Sequence, residues 1–222
     1  MLEPQKPTVH HITEELQRAE LRRNGLNRKW ATYGSGAEQY FGRSTSDSFG
    51  GLITIDMIKE RFEKISERTG KKIAVFEVFG QGRAGLELGA DLSISWTLTD
   101  ERVLDPDKHR AYTGNIFEVQ KCDEVFKEWD EKFEPEFAMG LVISRPMGAM
   151  QEYGPSNEAF EIWAEHIFSG LYRRTPPGGI LALEFSEAPA ARFAEFTLFL
   201  ENKGIAFHRD HLHQVIVIDK PE

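Results

Sequence analysis

A single cysteine, Cys122, among 222 residues leaves no partner for an internal disulfide. Long apolar runs are missing too: no uninterrupted stretch is long enough to span a bilayer, and the leading MLEPQKPTVHH lacks the apolar core of a signal peptide. These shortages give the expectation of a cytoplasmic, reducing location without membrane association. Cations are the third deficit. Lys and Arg total 27 against 36 Asp and Glu, a formal charge of −9, so the global field repels polyanions and disfavours nucleic acid as a partner. The local cluster Arg22, Arg23, Arg28 and Lys29 is read as a solvated helix end, with a phosphate or acidic-partner contact as the alternative.

Apolar side chains, by contrast, are plentiful. A hydrophobic fraction of 40% with 16 Phe describes a folded chain with a large core, and the length suits one α/β domain with an N-terminal appendage. Ile12, Leu16 and Ala19 at helical spacing predict a short helix ending near Gly25. The segment WATYGSGAEQYFGRSTSDSFGG follows, rich in Gly and Ser yet holding Trp30, Tyr33, Tyr40, Phe41 and Phe49. Those rings either form a lid on a pocket or pin the segment to the core. The expected division is therefore an N-terminal helix and aromatic cap over residues 1–51 and a sheet domain over 52–222.

Within the second part, Ile55, Ile58, Phe62 and Ile65 form a helical stripe that stops at Gly70. Beyond it, strand-like and helix-like segments alternate. Strands are expected at 72–78, 92–100, 137–144 and 179–185, with a weak third strand ending over 111–115, and helices shortly after Gly85 and at 122–133, 157–174 and 190–204. Such alternation implies a mostly parallel sheet covered on both faces. At the end, IAFHRD and QVIVID are separated only by HLH, too short for a parallel crossover, so this pair is expected to be an antiparallel hairpin.

The chemistry centres on VFEVFGQGRAGLELG, where strand-like residues run into Gly80, Gly82 and Gly85. The G-x-G-x-x-G spacing after a strand, with Asp100 about 20 residues on, fits a nucleotide loop; a tight structural turn is the alternative. Glycine spacing alone does not separate NAD from S-adenosylmethionine. The overall layout, with PPGGILALE before the fifth strand and the closing hairpin, resembles the class I S-adenosylmethionine-dependent methyltransferase family over about residues 52–220. That resemblance implies a single doubly wound, mostly parallel seven-stranded Rossmann-like sheet and S-adenosylmethionine as cofactor.

Residue by residue, FEVFGQGRAG is similar to the family's first motif, with Glu77 as its strand-end acid and Gly80 and Gly82 as loop glycines around the methionine part of the cofactor. Asp100 resembles the ribose-binding acid and Asn115, in TGNIF, the residue near the adenine. MGLVISRP resembles the fourth strand and the loop beside the transferred methyl, which makes Ser144, Arg145 and Tyr153 the candidate catalytic or acceptor-binding residues. Phe79 departs from the pattern by standing where the family has its first glycine, so the loop is either one residue longer or no longer tuned for the cofactor. The Asn/Asp-Pro-Pro-aromatic motif of amino-methylating nucleic-acid enzymes is absent, so adenine or glutamine N-methylation loses support, and the expected acceptor is a small molecule or one that the sequence does not identify.

Two rival readings stand beside a methyltransferase: a catalytically silent binding or assembly module, and an NAD-dependent oxidoreductase. Other chemistry-bearing residues are assigned bland roles. His208, His211 and His213 are spaced as H-x-x-H-x-H, but the expected turn and the alternation of an extended chain separate them, and no metal is expected. Cys122, at a helix start with no visible partner, is read as structural. Replacing Gly82 with a bulky residue is expected to abolish cofactor binding while leaving the domain folded.

Overall fold

The computed structural model describes residues 36–42, 49–97, 103–144, 160–185, 190–210 and 214–222. The expected N-terminal helix, the Arg22 to Lys29 cluster, Trp30 and Tyr33 lie outside these residues. So do His10, His11, Asp100, Arg145, Tyr153, His211 and His213.

Seven strands form one sheet in the order β3-β2-β1-β4-β5-β7-β6: β1 (Lys72–Val78), β2 (Leu92–Thr97), β3 (His109–Thr113), β4 (Phe137–Ser144), β5 (Ile180–Glu184), β6 (His208–Asp210) and β7 (Val215–Asp219). The first five strands pair in parallel, whereas β7 runs antiparallel to both β5 and β6. This is the doubly wound Rossmann-like sheet that the resemblance implies, closed by the antiparallel pair that the brevity of HLH requires. The order reverses between β1 and β4, and such a switch point opens a crevice outside the carboxyl ends of the two strands.

Both faces of the sheet are covered, so β1 is buried from Ile73 to Val78 and its side chains divide between two cores. Ala74, Phe76 and Val78 enter one with Trp129, Trp163, Phe168 and Phe196. These come from α4 (Val119–Glu128) and its π-helical continuation Trp129–Phe133, from the π-helical Ile162–Phe168 leading into α5 (Ser169–Arg174), and from α6 (Ala190–Asn202). Ile73 and Val75 enter the other with α1 (Ala37–Phe41), α2 (Ile55–Thr69) and α3 (Arg83–Glu87).

Local chemistry sets the boundaries of α2. Thr54 accepts a hydrogen bond from the Met57 amide at the start, Gly70 takes the left-handed conformation at the stop, and Ile58, Phe62 and Ile65 are the buried face. Phe62 fits against the sheet because β4 bulges at Gly140, where an added Cβ would lie 3.1 Å from both Phe62 and Ile73. In the expected aromatic cap, Phe41 and Phe49 meet at 5.6 Å and are buried with Tyr40 among the α2 side chains. For these three rings the pinning role holds. Among the described residues no helix is long and apolar enough to cross a membrane.

Candidate functional site

Between β1 and α3 the chain turns at the switch point through Phe79, Gly80, Gln81 and Gly82. Glu77 organises this turn from below. Its side chain is fully buried; Oε2 accepts from the Gly82 amide at 3.1 Å and Oε1 from the Gly85 amide at 3.1 Å. The carboxyl thus caps the opening of α3, whose first amides have no partner within the helix. Burial raises its pKa to about 7, against the lowering effect of the amides of Gly85, Gly82 and Ala84.

All three glycines are required by protein neighbours. A Cβ on Gly80 would lie 2.5 Å from Glu77 Oε2, one on Gly85 2.4 Å from Ser93 Oγ, and one on Gly82 2.3 Å from His109 Nε2. Gly82 also has φ of +79°, which a side chain disfavours. Ser93 Oγ donates to the Gly82 carbonyl at 2.6 Å, fastening the turn to β2. Replacing Gly82 therefore disturbs the fold itself, a correction to the expectation of a folded variant that has merely lost its ligand.

His109, Ser93 and Ser95 were not among the residues singled out by pattern. His109 Nδ1 accepts from the Leu104 amide at 2.9 Å, so the ring is neutral with its proton on Nε2, which donates to Ser95 Oγ at 2.9 Å. The available signal was LSISWT, a strand whose face opposite Leu92, Ile94 and Trp96 carries Ser93, Ser95 and Thr97, all buried. Three buried hydroxyls on one sheet face require polar partners.

Phe79 is the other departure from ordinary geometry. Its φ is +66°, left-handed, in a residue with a bulky side chain. The backbone thus bends as a glycine would bend it, and the Phe79 amide donates to the Trp96 carbonyl at 2.8 Å. The ring lies against Phe117 and Trp163, with centroids 6.4 and 6.2 Å away.

Asn115 follows β3 and is buried. Its Oδ1 accepts from the Phe117 amide at 3.1 Å, closing a local turn at the same edge of the sheet. Ser144 ends β4, in register with Val78 and Leu183, and is fully buried. Its hydroxyl has no hydrogen-bond partner among the described residues. Glu77, Phe79, Gly80, Gly82, Asn115 and Ser144 accordingly gather at the carboxyl ends of β1, β3 and β4. Cys122 is buried in the core, with its thiol pushed up to about 12 by burial, which suits an inert structural residue. A shallow depression lined by Lys64, Glu67, Arg68 and Glu222 lies at the opposite edge, where Arg68 also donates to the Pro177 carbonyl before β5.

No family model and no curated protein matches the chain. Among solved structures, the chain is similar to the MycE methyltransferase from the mycinamycin biosynthetic pathway, in complex with Mg and SAH. The identity is 13% and the TM-score 0.45, over 77% of this chain and 49% of that one, so the chain spans about half the length of that protein. It is also similar to the O-methyltransferase from Bacillus cereus in complex with SAH, at 10% identity and a TM-score of 0.42, over 99% of this chain and 94% of that one.

Proposed function

We propose that the chain binds S-adenosylmethionine in the crevice outside β1 and β4 and directs its methyl group to a small-molecule acceptor. The observation that carries this reading is the glycine turn at the switch point of a sheet whose β7 runs antiparallel between β5 and β6. A dinucleotide-binding sheet of order 3-2-1-4-5-6 has no such reversed strand, so this feature counts against the NAD reading.

The residues at hand fit such a ligand in a specific division of labour. Glu77 is committed to the amides of its own turn, so its role is to shape the turn from beneath. Contact with the cofactor falls to the backbone of Phe79, Gly80 and Gly82, with Asp100 on the ribose and Asn115 near the adenine. The cofactor supplies an electrophilic methyl carbon whose displacement depends mainly on alignment of the acceptor. Ser144 ends β4 with a hydroxyl that has no partner among the described residues, which makes it the first candidate to orient an acceptor or take its proton. Arg145 and Tyr153 are the further candidates, Arg145 for an acidic acceptor.

Phe79 favours a second reading. A ring at a position that resembles a cofactor-contacting glycine suits a silent binding module whose compartment is already filled. Thermal unfolding with a ligand panel separates the two. At a hundred times its Kd, a ligand stabilises by about 2.7 kcal/mol, or roughly 5–10 °C for a domain of this size. S-adenosylmethionine and S-adenosylhomocysteine are expected to give that rise, and NAD and ATP none. Flat midpoints with all four at millimolar concentration would favour the silent module.

A further inference from the structure

Beside Phe79 lie two buried polar groups without a hydrogen-bond partner among the described residues. Ser144 Oγ and Trp163 Nε1 are inaccessible to water and have no hydrogen-bond partner among the described residues. Folded proteins rarely leave buried donors unpaired, and a cluster of exceptions calls for a ligand or a functional cause. Both belong to the same layer. Ser144 is in register with Val78, immediately before Phe79, and shares its sheet face; Trp163 is in ring contact with Phe79 itself. Trp129 Nε1 likewise has no partner among the described residues, but its ring packs on Phe133 in the continuation of α4.

Phe79 supplies an apolar ring to Phe117 and Trp163 and nothing to either polar group. It does so from a left-handed backbone that disfavours its side chain. Strained residues of this kind concentrate at ligand clamps and switch regions. We propose that Phe79 occupies, in the unliganded protein, the compartment of a monocyclic aromatic ligand bearing an oxygen, and swings out when that ligand enters. The ligand ring takes the place of the phenyl ring between Phe117 and Trp163. Its oxygen accepts from the Trp163 indole N–H and exchanges a hydrogen bond with Ser144. The inference rests on the proposed function only in taking this compartment as the acceptor side; the binding it requires is independent of the cofactor.

The test uses phenol and toluene, which are nearly isosteric, without any nucleoside present. Phe79→Gly removes the competing ring and suits the left-handed backbone, so it keeps the turn. Calorimetry on this variant is expected to give phenol at least tenfold tighter binding than toluene. Adding Ser144→Ala or Trp163→Phe should each cut that preference to threefold or less. Wild-type protein should show the same order of affinities with weaker binding, because Phe79 competes. Equal affinity for phenol and toluene in Phe79→Gly, or binding of neither, overturns the proposal. Phe79→Ala serves for the same comparison if circular dichroism shows the glycine variant unfolded. S-adenosylhomocysteine binding is measured separately on the same preparations, so failure of the ring site and failure of the methyltransferase reading are distinguishable.

Discussion

Gly82→Ala is expected to destabilise the domain by about 3–4 kcal/mol, a large loss for a single added methyl group. Two terms combine. A residue with a side chain held at φ of +79° costs about 1–2 kcal/mol on its own. The new Cβ would also stand 2.3 Å from His109 Nε2 and 2.7 Å from its Cδ2. His109 cannot yield cheaply, because Leu104 and Ser95 hold its two nitrogens and the ring is buried. The steric term is separable. In a His109→Ala background the collision is gone, and Gly82→Ala should cost only the backbone term, so a double-mutant cycle by denaturant unfolding is expected to yield a coupling of about 2 kcal/mol. A loss below 1 kcal/mol in the wild-type background, or the same loss in both, would show that the turn and His109 do not meet as described.

Glu77→Gln is expected to change the pH dependence of stability. The Glu77 pKa is raised from 4.5 to about 7 in the folded protein, first by burial. Between these values the folded state binds the proton that the unfolded state has released, so stability falls as pH rises from about 4.5 through about 7. The penalty is complete above that window and amounts to about 3 kcal/mol. Glutamine does not titrate, but its amide group turns an N–H toward a backbone N–H, at a cost of about 1–3 kcal/mol. The variant should therefore be the less stable protein at pH 5 and draw level with wild type by pH 8. The difference between the two unfolding curves isolates Glu77 from every other titration. A constant difference across that range would mean that Glu77 is ionised throughout.

Much of the sheet was legible because its strands are short apolar runs bounded by turn residues. Lys72–Val78 and Phe137–Ser144 have the expected limits, and the brevity of HLH required the antiparallel end. The expected end of β3 at Asn115 lies two residues past the observed Thr113, and its start carries no apolar signal, because His109 is buried through hydrogen bonds that only the folded chain supplies. The π-helical stretch Ile162–Phe168 was hidden as well, because its apolar residues fit an ordinary helical stripe.

At the site, sequence identified the turn but not the reason for its glycines. Spacing suggests room for a ligand, yet each missing Cβ points at a protein atom: Glu77, His109 or Ser93. The direction of an absent side chain is a property of the fold, and no one-dimensional pattern carries it. Phe79 is the converse case. Its identity marked a departure from the resembled motif, and the backbone nevertheless makes the left-handed bend that glycine would make. The turn at the switch point thus makes its left-handed bend at a residue that carries an aromatic ring.

Whether that turn still receives a nucleoside is decided most directly by calorimetric titration of the wild-type protein with S-adenosylhomocysteine at pH 8, at two temperatures so that a vanishing enthalpy at one is not mistaken for silence. One saturable site per chain is predicted, with the affinity retained in Phe79→Gly. No saturable heat at either temperature with millimolar ligand, from protein shown to be folded by circular dichroism, would contradict it.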